Sequence, residues 1–261
     1  MYELLLNVWP LKRLSAHLPN TITLLNLLSG AAALVLASRG YLALGCLFIG
    51  IAAVLDFFDG LAARLLKVHS AIGEQLDSLA DLVSFGLAPS FLLFQHLGQL
   101  HAAAGHSNGL ENMPAMQLAG MALSFLLVVF AALRLARFNI DARQKEAFIG
   151  VPTPAIALLF AAAIMLYYRD AQFQQIELLS RTWIWQAMAV AGSLLMVIPL
   201  HMFSLKFKDL SWQNNQIRYV FVGFSLILLV LLHAVALPLI IIWYILLSIV
   251  YHIFEPKFSR I

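Results

Sequence analysis

The sequence predicts an all-α integral membrane protein of about eight transmembrane helices, and three observations carry this. Of the 261 residues, 62% are hydrophobic and only 11% charged, about half the charged share of an ordinary soluble domain. Apolar runs recur along the chain at the roughly 17–25 residues needed to cross a hydrocarbon core about 30 Å thick. The runs are continuous rather than alternating, which sets aside a β-barrel. The single cysteine, Cys46, can form no internal disulfide and reads as a small packing residue. A net charge of +3 gives no footing for nucleic acid.

The first stretch, MYELLLNVWPLKRLSAHLP, is apolar and then basic, the reverse of a cleavable signal. It is too short to span and Pro10 interrupts it, so it reads as an interfacial helix with Trp9 at the headgroups and Lys12 and Arg13 toward anionic lipid. Spans are expected near 20–38, 41–65, 78–98, 115–136, 151–168, 183–205, 217–234 and 236–254. The organisation is then an interfacial helix over 1–17, a six-span core over 18–208 and a two-helix hairpin over 209–261. With the N-terminus in the cytoplasm and the spans alternating, thirteen of the sixteen Lys and Arg residues face the cytoplasm and three, Arg39, Arg169 and Arg181, face away. Such asymmetry orients short loops. Both termini, and the turn between spans two and three, are placed on the cytoplasmic side.

That turn holds four of the seven aspartates. Asp56 and Asp59 are three apart, Asp77 and Asp81 four apart, so each pair shares a helix face. Antiparallel helices joined by a short turn let the pairs face each other. Four carboxylates meeting at low dielectric need cations. Arg64 and Lys67 are the only basic residues near, and Glu74 adds another negative charge. Oxygen ligands suit Mg²⁺ or Mn²⁺, and this many could hold two ions, a clamp for displacement at phosphorus. Gly60 and Gly73 each cost about 1 kcal/mol in a helix relative to Ala, which close approach of a ligand would justify. Arg64, one turn beyond Gly60, could reach a phosphate. An ion-coupled transporter is the rival reading of membrane carboxylates; this cluster differs by lying in one contiguous stretch near one interface.

Asp56, Asp59, Gly60, Ala63, Arg64, Gly73, Asp77 and Asp81 form the pattern DxxDGxxARx8Gx3Dx3D over 26 residues. It resembles, with no departure, the signature of the CDP-alcohol phosphatidyltransferase family. The resemblance implies that Asp56, Asp59 and Asp77, together with Asp81, hold a di-metal site. It also implies that Asp81 deprotonates the acceptor hydroxyl and that Gly60 and Ala63 line a nucleotide pocket. A six-span core, homodimers, a CDP-linked donor and CMP as leaving group follow from the same likeness. The stretches LPNTITLLNLLSG (18–30), DSLADLVSFGLAPS (77–90), ALRLARFN (132–139) and GVPTPAIA (150–157) are similar to the bacterial membrane-integral phosphatidylserine synthases of that family. They imply CDP-diacylglycerol and L-serine as substrates and the bacterial inner membrane as location. Glycerol 3-phosphate and inositol phosphate are the alternative acceptors.

The remaining site residues follow from polarity at the same end of the spans. Asn20, Thr23 and Asn26, spaced by three, could bond a cytosine edge or phosphate; N-capping by Asn20 or Thr21 after Pro19 is the plainer reading. With Asp56, Gly60, Ala63 and Arg64 they make up the expected nucleotide side. Arg134, Arg137 and Asn139 end span four, where a guanidinium fork suits a carboxylate or phosphate. Ser78 and Ser84 lie near the fourth aspartate and either bind substrate or pack helices. His96, His101 and His106 recur every five residues, a poor spacing for a helical metal site. Tyr167, Tyr168, Trp183 and Trp185 fall at span ends and read as an aromatic belt.

Overall fold

The computed structural model describes residues 9–68, 70–105, 110–140, 148–203 and 211–254. His106, Arg143, Lys145, Lys206, Lys208, Lys257 and Arg260 lie outside them, as do the side chains of Trp9, Lys12 and Arg13. Five helical stretches are long and apolar enough to cross a membrane: His17–Ser38, Leu42–Leu66, Ala71–Ala103, Ala115–Ile140 and Asn215–Tyr251. Two shorter apolar helices, Thr153–Arg169 and Thr182–Val197, accompany them. The chain is an all-helical integral membrane protein, with one two-residue antiparallel pairing among the described residues.

α1 (Trp9–Ser38) is a single helix of 30 residues with Pro19 inside it. The helix runs without a break past Pro19, which corrects the expectation of a cap at Asn20 or Thr21. Pro10 falls in the first turn, where its missing N–H costs nothing. Pro19 removes one backbone bond, a loss tolerated within a membrane bundle. Thr21 Oγ1 donates to the His17 carbonyl at 3.0 Å, and Thr23 Oγ1 lies 3.0 Å from that of Pro19. At about 1.5 Å per residue α1 is roughly 45 Å long, so its first turns project beyond the apolar stretch.

A tight turn through Gly40, at φ 82°, reverses the chain into α2 (Leu42–Leu66). α2 stops at Lys67 in the left-handed region, φ 53°, with its last amides closing on the carbonyls of Ala63 and Arg64. Ser70 caps α3 (Ala71–Asp81), its hydroxyl accepting from the Gly73 amide at 3.0 Å. α3 continues through a π turn, Leu82–Leu87, into α4 (Ala88–Ala103) as one 33-residue rod. The return rod is α5 (Ala115–Ala122), a 3₁₀ turn over Leu123–Phe125 and α6 (Leu126–Ile140). β1 (Phe148–Ile149) precedes α7 (Thr153–Arg169), and the short α8 (Ala171–Gln174) leads toward α9 (Thr182–Val197).

Span six was expected to reach residue 205. It ends at Val197 because Pro199 forces the residue before it out of the helix: Ile198 has φ −63°, ψ 136°. β2 (His201–Met202) then pairs with β1. α10 (Trp212–Leu232) and α11 (Ala236–Phe254) complete the chain. They are arms of one hairpin, folded at His233 with φ 49°, ψ −121°. The ring pairs Phe224–Trp243 at 4.7 Å and Phe221–Tyr244 at 5.7 Å lie on either side of that fold. Among the described residues, the five long stretches, one of them folded into this hairpin, and the two shorter apolar helices fall where the hydropathy pattern expected its eight spans.

α7 is apolar on all faces and occupies the centre, burying Ile156, Ala157, Phe160, Ala163 and Ile164. One expected feature is corrected here. Trp185 and Tyr167 are buried rather than belted at the lipid surface; only Trp183 is well exposed. Trp185 packs on His96 at 4.4 Å between ring centroids and donates Nε1–H to the Leu179 carbonyl at 2.8 Å. His96 Nδ1 lies 2.9 Å from the Tyr168 hydroxyl. The histidine thus belongs to an aromatic cluster at the end of the bundle remote from the aspartates.

Candidate active site

The α2–α3 turn brings the four aspartates together. One carboxylate oxygen each from Asp56, Asp59 and Asp77 lies within 4.8 Å of the others. Asp81 stands close enough that the charges of Asp56, Asp59 and Asp77 all bear on it. Asp59 and Asp81 are buried, while Asp56 and Asp77 are half-buried. No Lys or Arg among the described residues lies within 4.0 Å of any of the four. Two unit charges 4 Å apart repel by about 4 kcal/mol at an effective dielectric near 20. An uncompensated group of hard oxygen donors at this spacing fits divalent cations of the Mg²⁺ or Mn²⁺ kind.

α1 supplies a polar ridge against this group. Asn20 faces Gly73 so closely that a Cβ on the glycine would meet Asn20 Oδ1 at 2.9 Å. Thr23 Oγ1 lies 2.8 Å from Asp59 Oδ2. Asn26, wholly buried, gives Nδ2–H to Asp81 Oδ1 at 3.4 Å. The spacing of three that marked these residues thus sets each against α2 or α3, and two of them orient aspartates directly. That second role was not foreseen.

Beside the cluster lies a cavity of about 610 Å³, lined by Asn20, Thr23, Asp59, Gly60, Ala63, Asp77 and their neighbours Pro19, Val68, Ser70, Ala71, Gly73 and Glu74. Gly60 has open space where a Cβ would stand, so its bare backbone forms part of the wall. Asn26, Asp56, Arg64 and Asp81 are not on that lining. Arg64 is exposed and turns its Nε–H back to the Gly60 carbonyl at 2.9 Å.

The cations expected on α6 separate. Arg137 is exposed, whereas Arg134 is only 6% exposed. Arg134 donates Nη1–H to Thr153 Oγ1 at 3.0 Å, and Asp81 is among the groups whose charge reaches it. Thr153 is a site residue that sequence reasoning missed. Its signal was the stretch GVPTP, where Gly150 at φ 78° packs against the Met196 carbonyl and fixes the start of α7. Asn139 and Ser78 bond each other, Nδ2 to Oγ at 3.0 Å, tying the end of α6 to α3 beside Asp77. Ser84 is buried away from the cavity. Its hydroxyl donates to the Asn26 carbonyl at 2.9 Å, a helix-packing contact.

The sequence model of the CDP-alcohol phosphatidyltransferase family matches residues 16–209. The chain belongs to the CDP-alcohol phosphatidyltransferase family. Its curated relatives include the CDP-diacylglycerol–serine O-phosphatidyltransferase of Helicobacter pylori (strain J99 / ATCC 700824), 35% identical over 150 residues, which are 57% of this chain and 57% of that protein. The Bacillus subtilis (strain 168) protein of the same name is 36% identical over 138 residues, 53% of this chain and 70% of that one. The Mycobacterium leprae (strain TN) protein of that name is 27% identical over 245 residues, 90% of this chain and 73% of that one. The chain thus spans little more than half the length of the Helicobacter relative. The Mycobacterium alignment covers too much of the chain to fit within the family core alone, so it takes in part of the α10–α11 hairpin.

Proposed function

We propose that this family member transfers the phosphatidyl group of CDP-diacylglycerol to the hydroxyl of L-serine, releasing CMP and forming phosphatidylserine. The observation that carries it is the arrangement around Asp81. Asp56, Asp59 and Asp77 cluster beside a cavity, and Asp81 stands within charge reach of all three and of the buried Arg134. The names of the curated relatives support serine as the acceptor.

On this reading the nucleotide of the donor lies in the cavity against Asn20, Thr23, Gly60 and Ala63, with its acyl chains left in lipid. Exposed Phe57, Phe58 and Ile72, on the helices that bear the site, suit that surrounding. Asp56, Asp59, Asp77 and Asp81 would hold two divalent ions, Mg²⁺ or Mn²⁺, which when bound neutralise the pyrophosphate and the charge that develops on CMP. Arg134 binds the serine carboxylate and Asp81 takes the proton from the serine hydroxyl. The oxygen so freed bonds to the β-phosphorus as the bond from that phosphorus to the CMP oxygen breaks. No Ser, His or Cys stands in the motif as a nucleophile, so one displacement with inversion at phosphorus is the expected course. The excess of basic residues toward one side supports a cytoplasmic active site in a bacterial inner membrane. Family membership supports a homodimer built on the 18–208 core.

The test is CMP release by the purified chain in micelles of CDP-diacylglycerol with Mn²⁺ or Mg²⁺, comparing serine, glycerol 3-phosphate and inositol phosphate. Serine-dependent release, reduced roughly 10²–10⁴-fold in Asp81→Asn, is the expected result. Release with another acceptor overturns serine and keeps the family chemistry. No release with any acceptor, from folded protein, brings the transporter reading forward.

A further inference from the structure

Arg134 and Thr153 are joined across the α6–α7 interface by the bond from Nη1–H to Oγ1 at 3.0 Å. Thr153 is wholly buried, and backbone bonds fasten the chain that leads to it. The Gly150 amide donates to the Leu200 carbonyl at 2.8 Å, and the Val151 amide to that of Leu195 at 2.9 Å. The β1–β2 pairing extends this clasp. Pro152, at φ −56°, then leads directly into Thr153, the first residue of α7. The hydroxyl therefore stands on a fixed support at the start of the central helix.

Two contacts set the register of α6 against the rod that carries Asp81. A Cβ on Gly86 would meet the Ala131 Cβ at 3.2 Å, and Asn139 Nδ2 bonds Ser78 Oγ at 3.0 Å. The pairing runs antiparallel, and both contacts put Arg134 level with Val83, about 3 Å along the axis from Asp81. Ala131 lies one turn from Arg134 on the same face of α6, so that face is turned to the π turn following Asp81. With Nη1 held by Thr153, the guanidinium keeps its Nε edge. Nε is buried and has no partner among the described residues, and no carboxylate there lies within 4.0 Å of the group. A buried guanidinium without an anion against it is costly unless one arrives, and its planar fork matches a carboxylate.

We propose that Thr153 is a positioning residue: it pins one nitrogen of Arg134 so that the Nε edge is presented, near the level of Asp81, to the carboxylate of an amino-acid acceptor. The proposal rests on the serine-transfer reading above and deepens it. It gives the clasp between 148–151 and 195–202 a part in acceptor binding, and it separates Arg134 from the exposed Arg137.

The experiment measures KM for serine and for CDP-diacylglycerol separately in the full chain, together with thermal unfolding. Thr153→Val keeps the volume and removes the hydroxyl. It should raise KM for serine about tenfold while KM for CDP-diacylglycerol stays within about twofold. Thr153→Ser keeps the hydroxyl and should restore the wild-type KM. Thr153→Cys has a weaker acceptor and should fall between them; it carries the test if Thr153→Val does not fold. Arg134→Lys should raise KM for serine by at least as much as Thr153→Val. The double variant should be no worse than Arg134→Lys alone, because Thr153 acts through Arg134. Ser193→Ala removes another buried hydroxyl, on α9, and should change neither constant. Equal rises in both KM values, a Thr153→Ser variant no better than Thr153→Val, or multiplying effects in the double variant overturn the positioning role while leaving serine as the acceptor. Wild-type release with glycerol 3-phosphate but not serine overturns the carboxylate assignment and the serine reading together.

Discussion

Thr23 and Asn26 lie on one side of α1 and each touches a different aspartate. Groups that orient metal-binding carboxylates commonly tune affinity by 10–100-fold. Thr23→Val keeps the shape and removes the hydroxyl from Asp59. It should weaken divalent-ion activation within that range, read as a shift of the Mn²⁺ or Mg²⁺ titration with maximal rate largely kept. Gly60 behaves oppositely. A methyl there meets no protein atom but enters the cavity, and Ala is favoured over Gly in a helix by about 1 kcal/mol. Gly60→Ala should therefore unfold at a slightly higher temperature while KM for CDP-diacylglycerol rises severalfold. A fall in Tm with unchanged KM would remove Gly60 from the wall. The aspartates and both glycines were legible because spacing alone puts them on inward faces of adjacent helices. Thr153 was not, and neither was the contrast between Arg134 and Arg137. Helical periodicity tells which side a residue occupies; it does not tell that α7 will cover one arginine and leave the other bare.

At the scale of elements, α1 crosses closely over the π turn Leu82–Leu87. A Cβ on Gly30 would stand 2.7 Å from the Ser84 Cα. The π turn inserts its extra residue directly after Asp81, a distortion frequent at functional sites. Gly30→Ala must push these elements apart, at a cost of about 1–3 kcal/mol. A chain of this size should then melt several degrees lower. Ser84→Gly should not rescue it, because backbone is in the way. Hydropathy located the long apolar helices, but it misjudged the ends where proline chemistry decides. It broke α1 at Pro19, which the bundle accommodates, and ran α9 past Pro199, which stops it. It also sent Trp185 and Tyr167 to the surface, since aromatic residues near a span end look alike whether they meet lipid or a buried histidine.

For the whole molecule, four carboxylates drawn together without cations are a standing strain on the bundle. Ions that bind the folded state and not the unfolded one stabilise it by about 2.7 kcal/mol at a hundred times Kd. Chelator should lower Tm in detergent and Mn²⁺ or Mg²⁺ should restore it, while Asp56→Asn/Asp77→Asn should melt alike with and without metal. Unchanged Tm and activity after chelation would sink the metal reading. A different consequence follows from α9, which has only 16 residues and so rises about 24 Å. Its Trp183 and Leu194 are open to the surroundings. Hydrocarbon alongside it must pinch below its usual thickness of about 30 Å, at a fraction of a kcal/mol for each ångström of mismatch. That flank is expected to favour a thin bilayer. Lipids with shorter chains should gather there, and lengthening the acyl chains of a host vesicle should tilt or loosen α9 before any other helix responds.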